Sequence, residues 1–531
     1  MSLNRLLACA ILTLVLGYSS VGAAQNIPAR YSSDPMTMND FPSELARSLS
    51  TTSLGSRAGR AELDALKMFY ESRRYEPLWV TSTGYTAAAH LVRTEIERAD
   101  EWGLEAFALR VPPLPEGQRL SLPEQASAEI ALSQSILKYA QFARGGRIDP
   151  LALSRNPDRK PQLLDPGKVL AGIVGSDAPD AYLRSLHPQH PQFERLRRLY
   201  AGVSVEFDTG VNLRSKERSG KKRSNSSGVS SREKLLVNME QWRWMPEDLG
   251  RLHVWVNIPE YIVRVIKDGR EIHSERVIVG ATTTPTPILS DVMVHLIFHP
   301  RWNVPDSIKV NELLPSLEVG DYRVLSRQNL RVALGGRDID ATSVDWSRTD
   351  IRKYYFYQPP GENNALGLVK FLFPNKHDVY LHDTPNKSLF NSEVRAISHG
   401  CIRVRHPMKL AELLLAEDQG WDGSRVAMTV QKGSQDNQVN VSNIPVHLTY
   451  FTTWVDDDGK LRTFPDVYDH EHRIAYALAG KSHLIRREPE PTPVVHVRSP
   501  TPSRASKNEE VPRGQGFETT GRPDWMKQVF Q

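Results

Sequence analysis

The sequence predicts a multidomain α+β protein, with a helical N-terminal domain followed by a mainly-β domain. Three observations carry that prediction. Apolar residues recur at helical spacing from about Ala61 to Tyr200, and after Leu235 the period changes to two. A basic, Ser/Gly-rich stretch separates the two patterns. The 531 residues suffice for two to four domains at roughly 150 residues each. The charge balance, 67 basic against 62 acidic residues or +5, is too mild to indicate a nucleic-acid partner. A mean hydropathy of −0.43 excludes a polytopic membrane protein.

The chain opens with Arg5, an apolar run from Leu6 to about Gly17, and small residues ending Val21-Gly22-Ala23-Ala24. This is the charge, apolar core and small-residue order of an export signal, expected over residues 1–24 and leading to the periplasm. If it stays uncleaved, it is the chain's membrane attachment. Leu6-Leu7-Ala8-Cys9 imitates a lipoprotein box but precedes the apolar run, so that reading is rejected. Residues 25–60, rich in Ser, Thr, Ala and Arg, read as a flexible lead-in. Residues 61–205 read as the helical domain. Its stripes are Leu63, Leu66, Met68, Phe69 and Tyr70, then Leu91, Val92, Ile96 and Ala99, then Ile130, Leu132, Ile136, Leu137, Tyr139, Ala140 and Phe142. Phe193, Leu196 and Leu199 continue them, and core packing accounts for all. Residues 206–234 read as a basic disordered linker.

The mainly-β domain is expected over 235–478. Strands are predicted at Leu252–Asn257, Tyr261–Ile266, Glu271–Val279, Val292–Phe298, Asp378–His382, Arg425–Val430 and Val446–Trp454. Asp268-Gly269 is a hairpin-turn signal between the second and third. Residues 305–365, mixed in Pro, Gly and aromatics, interrupt the rhythm and read as an insertion or lid. Pro407 opens a short helix carrying Leu410, Leu413 and Leu414. The Pro-rich residues 479–531 read as a disordered tail.

The two cysteines, Cys9 and Cys401, exclude a disulfide framework. Removal of the signal leaves Cys401 alone, either a buried bystander or a working thiol. His382 lies 19 residues before it. A thiol needs a base to become a nucleophile, and an imidazole suits that task. Gly400 lets the backbone approach a substrate carbonyl, and the N–H groups of Gly400 and Cys401 are candidate oxyanion donors. Arg403 suits bidentate pairing with a substrate carboxylate. His382, His399 and Cys401 are also zinc-ligand types, but a closed site needs a fourth ligand and the exported chain has no second Cys. A buried structural Cys with surface histidines is the other alternative.

The string Ser398-His399-Gly400-Cys401-Ile402-Arg403-Val404 resembles the active-site signature of the L,D-transpeptidase (YkuD) catalytic domain. His382, in Tyr380-Leu381-His382-Asp383-Thr384-Pro385, matches that family's catalytic histidine. Further segments resemble the long, scaffold-bearing YcbB-like branch of Gram-negative bacteria. They are Val237 to Trp244, Val277 to Gly280, Asn303-Val304-Pro305, Asn364 to Gly367, Phe371 to Asn375 and Tyr450 to Val455. In the helical region, Phe69-Tyr70, Pro77 to Val80 and Gly145 to Pro150 resemble the branch's scaffold domain. The branch's small peptidoglycan-binding module is not found, and the basic segment occupies its place.

The resemblance implies a cysteine-dependent transferase of peptidoglycan biosynthesis, serving cell-wall organisation and cell shape, without cofactor or metal. The implied reaction is 3→3 cross-linking through a Cys401 thioester with release of D-Ala. The implied partners are stem peptides, a tetrapeptide donor and a diaminopimelate acceptor, with envelope proteins as another acceptor class. Water as acceptor gives an L,D-carboxypeptidase, and a silent wall-binding protein is the reading from another class. In these roles Cys401 is the nucleophile and His382 the proton donor and acceptor. Gly400 shapes the oxyanion hole, and His399 shapes the hole, assists Cys401 or plays a structural role. Arg403, Tyr380, Trp302 and Asn303 are the substrate-binding candidates, with core packing the favoured alternative for Trp302. Asp383 either orients an imidazole or accepts turn hydrogen bonds, and 305–365 corresponds to the branch's capping subdomain.

Overall fold

The structure is a computed structural model that describes residues 40–53, 57–115, 117–202 and 230–485. The signal segment with Cys9, residues 206–229 of the linker and residues 486–531 of the tail lie outside the described residues. No helix among the described residues is long and apolar enough to cross a membrane.

Helical packing begins earlier than Ala61, which corrects the expected lead-in. A helix spans Phe41–Thr51, and its Phe41, Leu45 and Leu49 repeat every four residues and are buried. It packs against the long helix Leu122–Gly145. That helix starts on a reciprocal Ser121/Glu124 capping box and is buried on most of its surface. One of its buried residues is Glu129. Its carboxylate accepts from Leu78 N (2.7 Å), Trp79 N (2.9 Å), Val80 N (3.1 Å) and the Tyr70 hydroxyl (2.7 Å). Burial pushes this carboxyl up to about 7 against the pull of those bonds. The expected linker also ends early, because Ser230 and Glu233 form a second capping box that starts the helix Ser231–Arg243.

Nine strands form the main sheet: β1 (Leu252–Asn257), β2 (Ile262–Lys267), β3 (Arg270–Gly280), β4 (Leu289–Phe298), β5 (Val369–Leu372), β6 (Leu381–His382), β7 (Ala396–Ser398), β8 (Ile402–Val404) and β9 (Asn437–Thr449). Their order is β7-β3-β8-β6-β5-β4-β9-β1-β2, and a further β2–β3 pairing closes the sheet on itself, leaving β7 appended to β3. The β2–β3 hairpin turns on Asp268 and Gly269, both at positive φ (49° and 74°), as a two-residue turn of the primed type requires. Val254, Val256, Val277, Val279, Phe298, Phe371, Leu381 and Ile402 fill the enclosed core. The helix Pro407–Gln419 adds Leu410, Ala411, Leu414 and Leu415, while Leu413 is half-buried.

Two predicted strands are corrected. Arg425–Val430 lies in a helix, Gly423–Gln431, because the Asp422 carboxylate caps it from Arg425 N at 2.8 Å and only Val426 is buried. Asp378–His382 is a strand only from Leu381, since Asp378 sits at φ 52°. The Pro-rich tail begins with a 3₁₀ turn, Ser482–Leu484.

The insertion has its own sheet, in the order Trp302–Asn303, Tyr355–Gln358, Arg331–Leu334, Arg337–Ile339. Its separate core includes Leu313, Leu317, Val332, Trp346, Ile351 and Phe356.

The helical and β parts meet over a continuous interface. Phe193 and Trp242 pack with Trp255 and Phe451, with Trp242 stacked on Phe451 at 4.7 Å. A scaffold segment also pairs with the barrel through a Pro157–Ile288 bridge. Asp158 binds Lys376 (2.6 Å) and His377 (3.0 Å). The buried Arg159 guanidinium donates to Leu289 O (3.0 Å), Ser290 Oγ (2.9 Å) and Leu448 O (3.3 Å).

Candidate active site

Strand alternation decides which side chains face the candidate nucleophile. On β5, β6 and β8 the residues Val369, Phe371, Leu381, Ile402 and Val404 point into the core. The residues between them, Lys370, His382 and Arg403, therefore share the opposite face. Register aligns them, because Lys370 is paired with His382 across β5–β6 and His382 with Arg403 across β6–β8.

Cys401 sits in the turn between β7 and β8. Gly400 has φ +110°, a conformation open to glycine and strained for any L side chain, although a Cβ there would have room, its nearest neighbour being Val379 Cγ1 at 3.7 Å. The Ser398 hydroxyl donates to Cys401 O (2.6 Å) and accepts from Gly400 N (3.2 Å). Thr286, fully buried, donates to Gly400 O (2.7 Å) and accepts from Gly280 N (2.8 Å). Ser398 and Thr286 thus fix the turn, and sequence reasoning missed both roles. Gly400→Ala is expected to cost about 1–3 kcal/mol of stability, the usual penalty for a strained backbone. Thermal unfolding checks this, and an unchanged melting temperature with an unchanged rate of Cys401 modification contradicts it.

Cys401 is half-buried. Burial pushes its thiol up, and the Tyr380 backbone N–H, Lys370, the Tyr380 hydroxyl and Arg403 all pull it back toward the thiolate. Its S–H lies 3.8 Å from Asp378 O. Trp302, on the edge strand of the insertion sheet, lies near enough to the Tyr380 hydroxyl to draw its buried phenol back down.

The His382 Nδ1 donates to the carbonyl of Asp383. A carbonyl only accepts, so Nδ1 carries the proton and Nε2 keeps its lone pair. Burial, then Arg403, lowers the imidazole to about 3 despite that bond, which leaves the ring neutral at ordinary pH. Asp383 orients the ring through its backbone. Its carboxylate accepts instead from Leu368 N (2.9 Å), Thr384 N (2.6 Å) and Lys387 Nζ (2.5 Å), the turn role of the two expected.

Two site residues are engaged elsewhere. The His399 ring bonds Glu312 of the insertion (2.7 Å) and is half exposed, so its side chain ties the turn to the insertion, the structural role among those expected of it. The Gly400 N–H is already held by Ser398 Oγ, whereas the Cys401 N–H has no hydrogen-bond partner among the described residues. Cys401 N–H is therefore the freer oxyanion donor.

Of the substrate-binding candidates, Tyr380 and Arg403 lie on the Cys401 face, Trp302 lies near the Tyr380 hydroxyl, and the Arg403 Nε has no partner among the described residues. Asn303 lies beside Trp302 in the insertion sheet with a buried, unpartnered Oδ1. Among the described residues no group of three or more His, Cys, Asp or Glu is arranged to hold a metal ion.

Residues 64–199 match the family described as Scaffold domain, and residues 251–430 match the family described as L,D-transpeptidase catalytic domain. A Haemophilus influenzae protein named "Putative L,D-transpeptidase" is 27% identical over 420 residues, which span 78% of this chain and 79% of its own length. Two solved structures align with 38% of this chain, an L,D-transpeptidase from Mycobacterium smegmatis at 13% identity and L,D-transpeptidase 3 from Mycobacterium tuberculosis with a faropenem-derived adduct at 14%. This chain covers 58% and 60% of those chains with TM-scores of 0.18 and 0.19, and at that similarity neither bears on the site.

Proposed function

We propose that this chain, which carries an L,D-transpeptidase catalytic domain behind a Scaffold domain, forms 3→3 peptidoglycan cross-links in the periplasm through a thioester on Cys401. The observation that carries the reading is the single face on which His382, Arg403 and Lys370 surround Cys401. Cys401 Sγ, as thiolate, attacks the carbonyl at the L-centre of the third residue of a donor tetrapeptide. His382 Nε2 takes the thiol proton and delivers it to the nitrogen of the departing D-Ala as the C–N bond breaks. The side-chain amine of a diaminopimelate on a second stem then attacks the thioester. His382 takes the amine's proton and returns it to the leaving sulfur, so the enzyme ends as it began.

Cys401 N–H faces the developing oxyanion in both steps, a contact of about 3–4 kcal/mol in comparable sites. Arg403 pairs with a stem-peptide carboxylate, and Tyr380, Trp302 and Asn303 line the acyl pocket. The insertion covers the site and limits water, which competes with the amine for the thioester.

Expression of the full chain in the periplasm of a tester strain lacking such enzymes checks the reading by muropeptide analysis. New 3→3 dimers are the expected result. Free tripeptides without dimers replace cross-linking by L,D-carboxypeptidase activity, and stems attached to lysines of envelope proteins replace it by protein anchoring. No change in any of these, together with an unreactive purified protein, leaves the silent wall-binding reading.

A further inference from the structure

Lys370 is a charged neighbour of Cys401 to which none of the steps above assigns a role. It lies mid-strand on β5, on the same face as His382, where the sequence pattern gives no hint of a functional group. Among the described residues its ammonium makes no ion pair within 4 Å. Its close contact is instead the face of Tyr380, with Nζ 3.7 Å from the ring centroid. A half-buried ammonium without a carboxylate partner is costly to fold around, so its position calls for a counter-charge. Tyr380 and Cys401 directly precede the paired residues Leu381 and Ile402, whose side chains enter the core, so Tyr380 and Cys401 share the opposite face, and Tyr380 O accepts from Ile402 N at 3.0 Å.

We propose that Lys370 is a positioning residue that favours ionisation of Cys401, acting on the sulfur from across the ring of Tyr380. The ring face holds the cation in place beside the residue that adjoins the sulfur. The ammonium adds its own field beside a half-buried thiol. No bond to Lys370 forms or breaks: the thiol proton leaves Sγ for solvent or His382, and Nζ keeps its three hydrogens. Burial lowers Lys370 to about 8, and Cys401, Asp378 and Asp436 support its charge, so the ammonium persists at neutral pH. The other titratable groups facing this cluster are His382 and Tyr380 beside it and Arg403 on β8, and of these only Arg403 is a second cation at neutral pH. This inference rests on Cys401 being the working thiol.

The test is the pH dependence of iodoacetamide alkylation at Cys401 in the purified full chain. Lys370→Met is expected to move the alkylation midpoint upward by about one pH unit, since loss of an opposite charge at this range disfavours the thiolate. Lys370→Arg, which keeps the cation over the ring, is expected to stay near the wild-type midpoint. Lys370→Gln repeats the neutral substitution with a polar chain in case the Met variant does not fold. A wild-type midpoint in either folded neutral variant overturns the proposal, as does an equal upward shift in the Arg variant. Alkylation needs no peptide donor. A protein that alkylates normally but neither acylates nor cross-links therefore overturns the transpeptidase reading and leaves the Lys370 result legible.

Discussion

Cys401→Ala is expected to remove all covalent acylation and to lower turnover of a tetrapeptide donor on the order of 10⁶-fold, the scale found when a hydrolase loses its nucleophile. The physical reason is that no other described residue supplies a nucleophile to this face: His382 is held by the Asp383 carbonyl, and Lys370 lies against Tyr380. The substitution removes one sulfur from a half-buried turn whose geometry depends on Ser398, Thr286 and Gly400. Stability should accordingly change by no more than about 1 kcal/mol. Intact-mass analysis after incubation with a carbapenem checks this directly. Wild type should gain one adduct, mapped to Cys401, and the variant none. An adduct of equal yield on Cys401→Ala places the chemistry elsewhere.

His382→Gln carries the second largest effect. Glutamine keeps a polar chain but accepts no proton, so both proton transfers lose their carrier, and a fall of about 10²–10⁴ in acylation rate is expected. The substitution also has a signature in stability. An unfolded histidine takes up a proton near pH 6.5, while the native ring resists it down to about 3. Between those values the unfolded state holds more protons than the native state, so stability is full above about pH 6.5 and declines as pH falls. Removing His382 should flatten that decline. His447 and His470, also lowered to about 3 by burial, keep part of it. Melting temperature measured from pH 7 to pH 4 checks the sign. A steeper acid decline in His382→Gln than in wild type refutes the assignment of a buried neutral ring.

The part of the site that was legible in the sequence is the part written in consecutive residues. Ser398 to Val404 and Tyr380 to Pro385 each lie in one short string, so their residue types and order could be read as a candidate site. Lys370 was invisible because its meaning comes from register: only the β5–β6 pairing places it opposite His382. Thr286 was missed for the same reason, since it reaches Gly400 from 114 residues away in the chain. The error at Arg425–Val430 arose because Val426, Met428 and Val430 alternate like a strand while the Asp422 cap, outside that window, starts a helix. The partner of His399 was not legible, because Glu312 belongs to an insertion whose docking no local pattern reveals. The helical part was read well where stripes are long, and read late where one turn-spaced trio, Phe41, Leu45 and Leu49, marks a short helix.

The segment Pro157 to Arg159 bears on how the two halves of this protein are inherited. Asp158 grips Lys376 and His377, and the next residue, Asp378, is the one whose carbonyl lies beside the Cys401 thiol. Arg159 meanwhile satisfies carbonyls on two strands of the barrel. A chimaera that joined this barrel to a foreign helical half would leave those acceptors bare and the loop behind the thiol unbraced. The two halves are therefore poor material for recombination: each carries part of the other's finish, and a lineage that exchanged one would have to rebuild both.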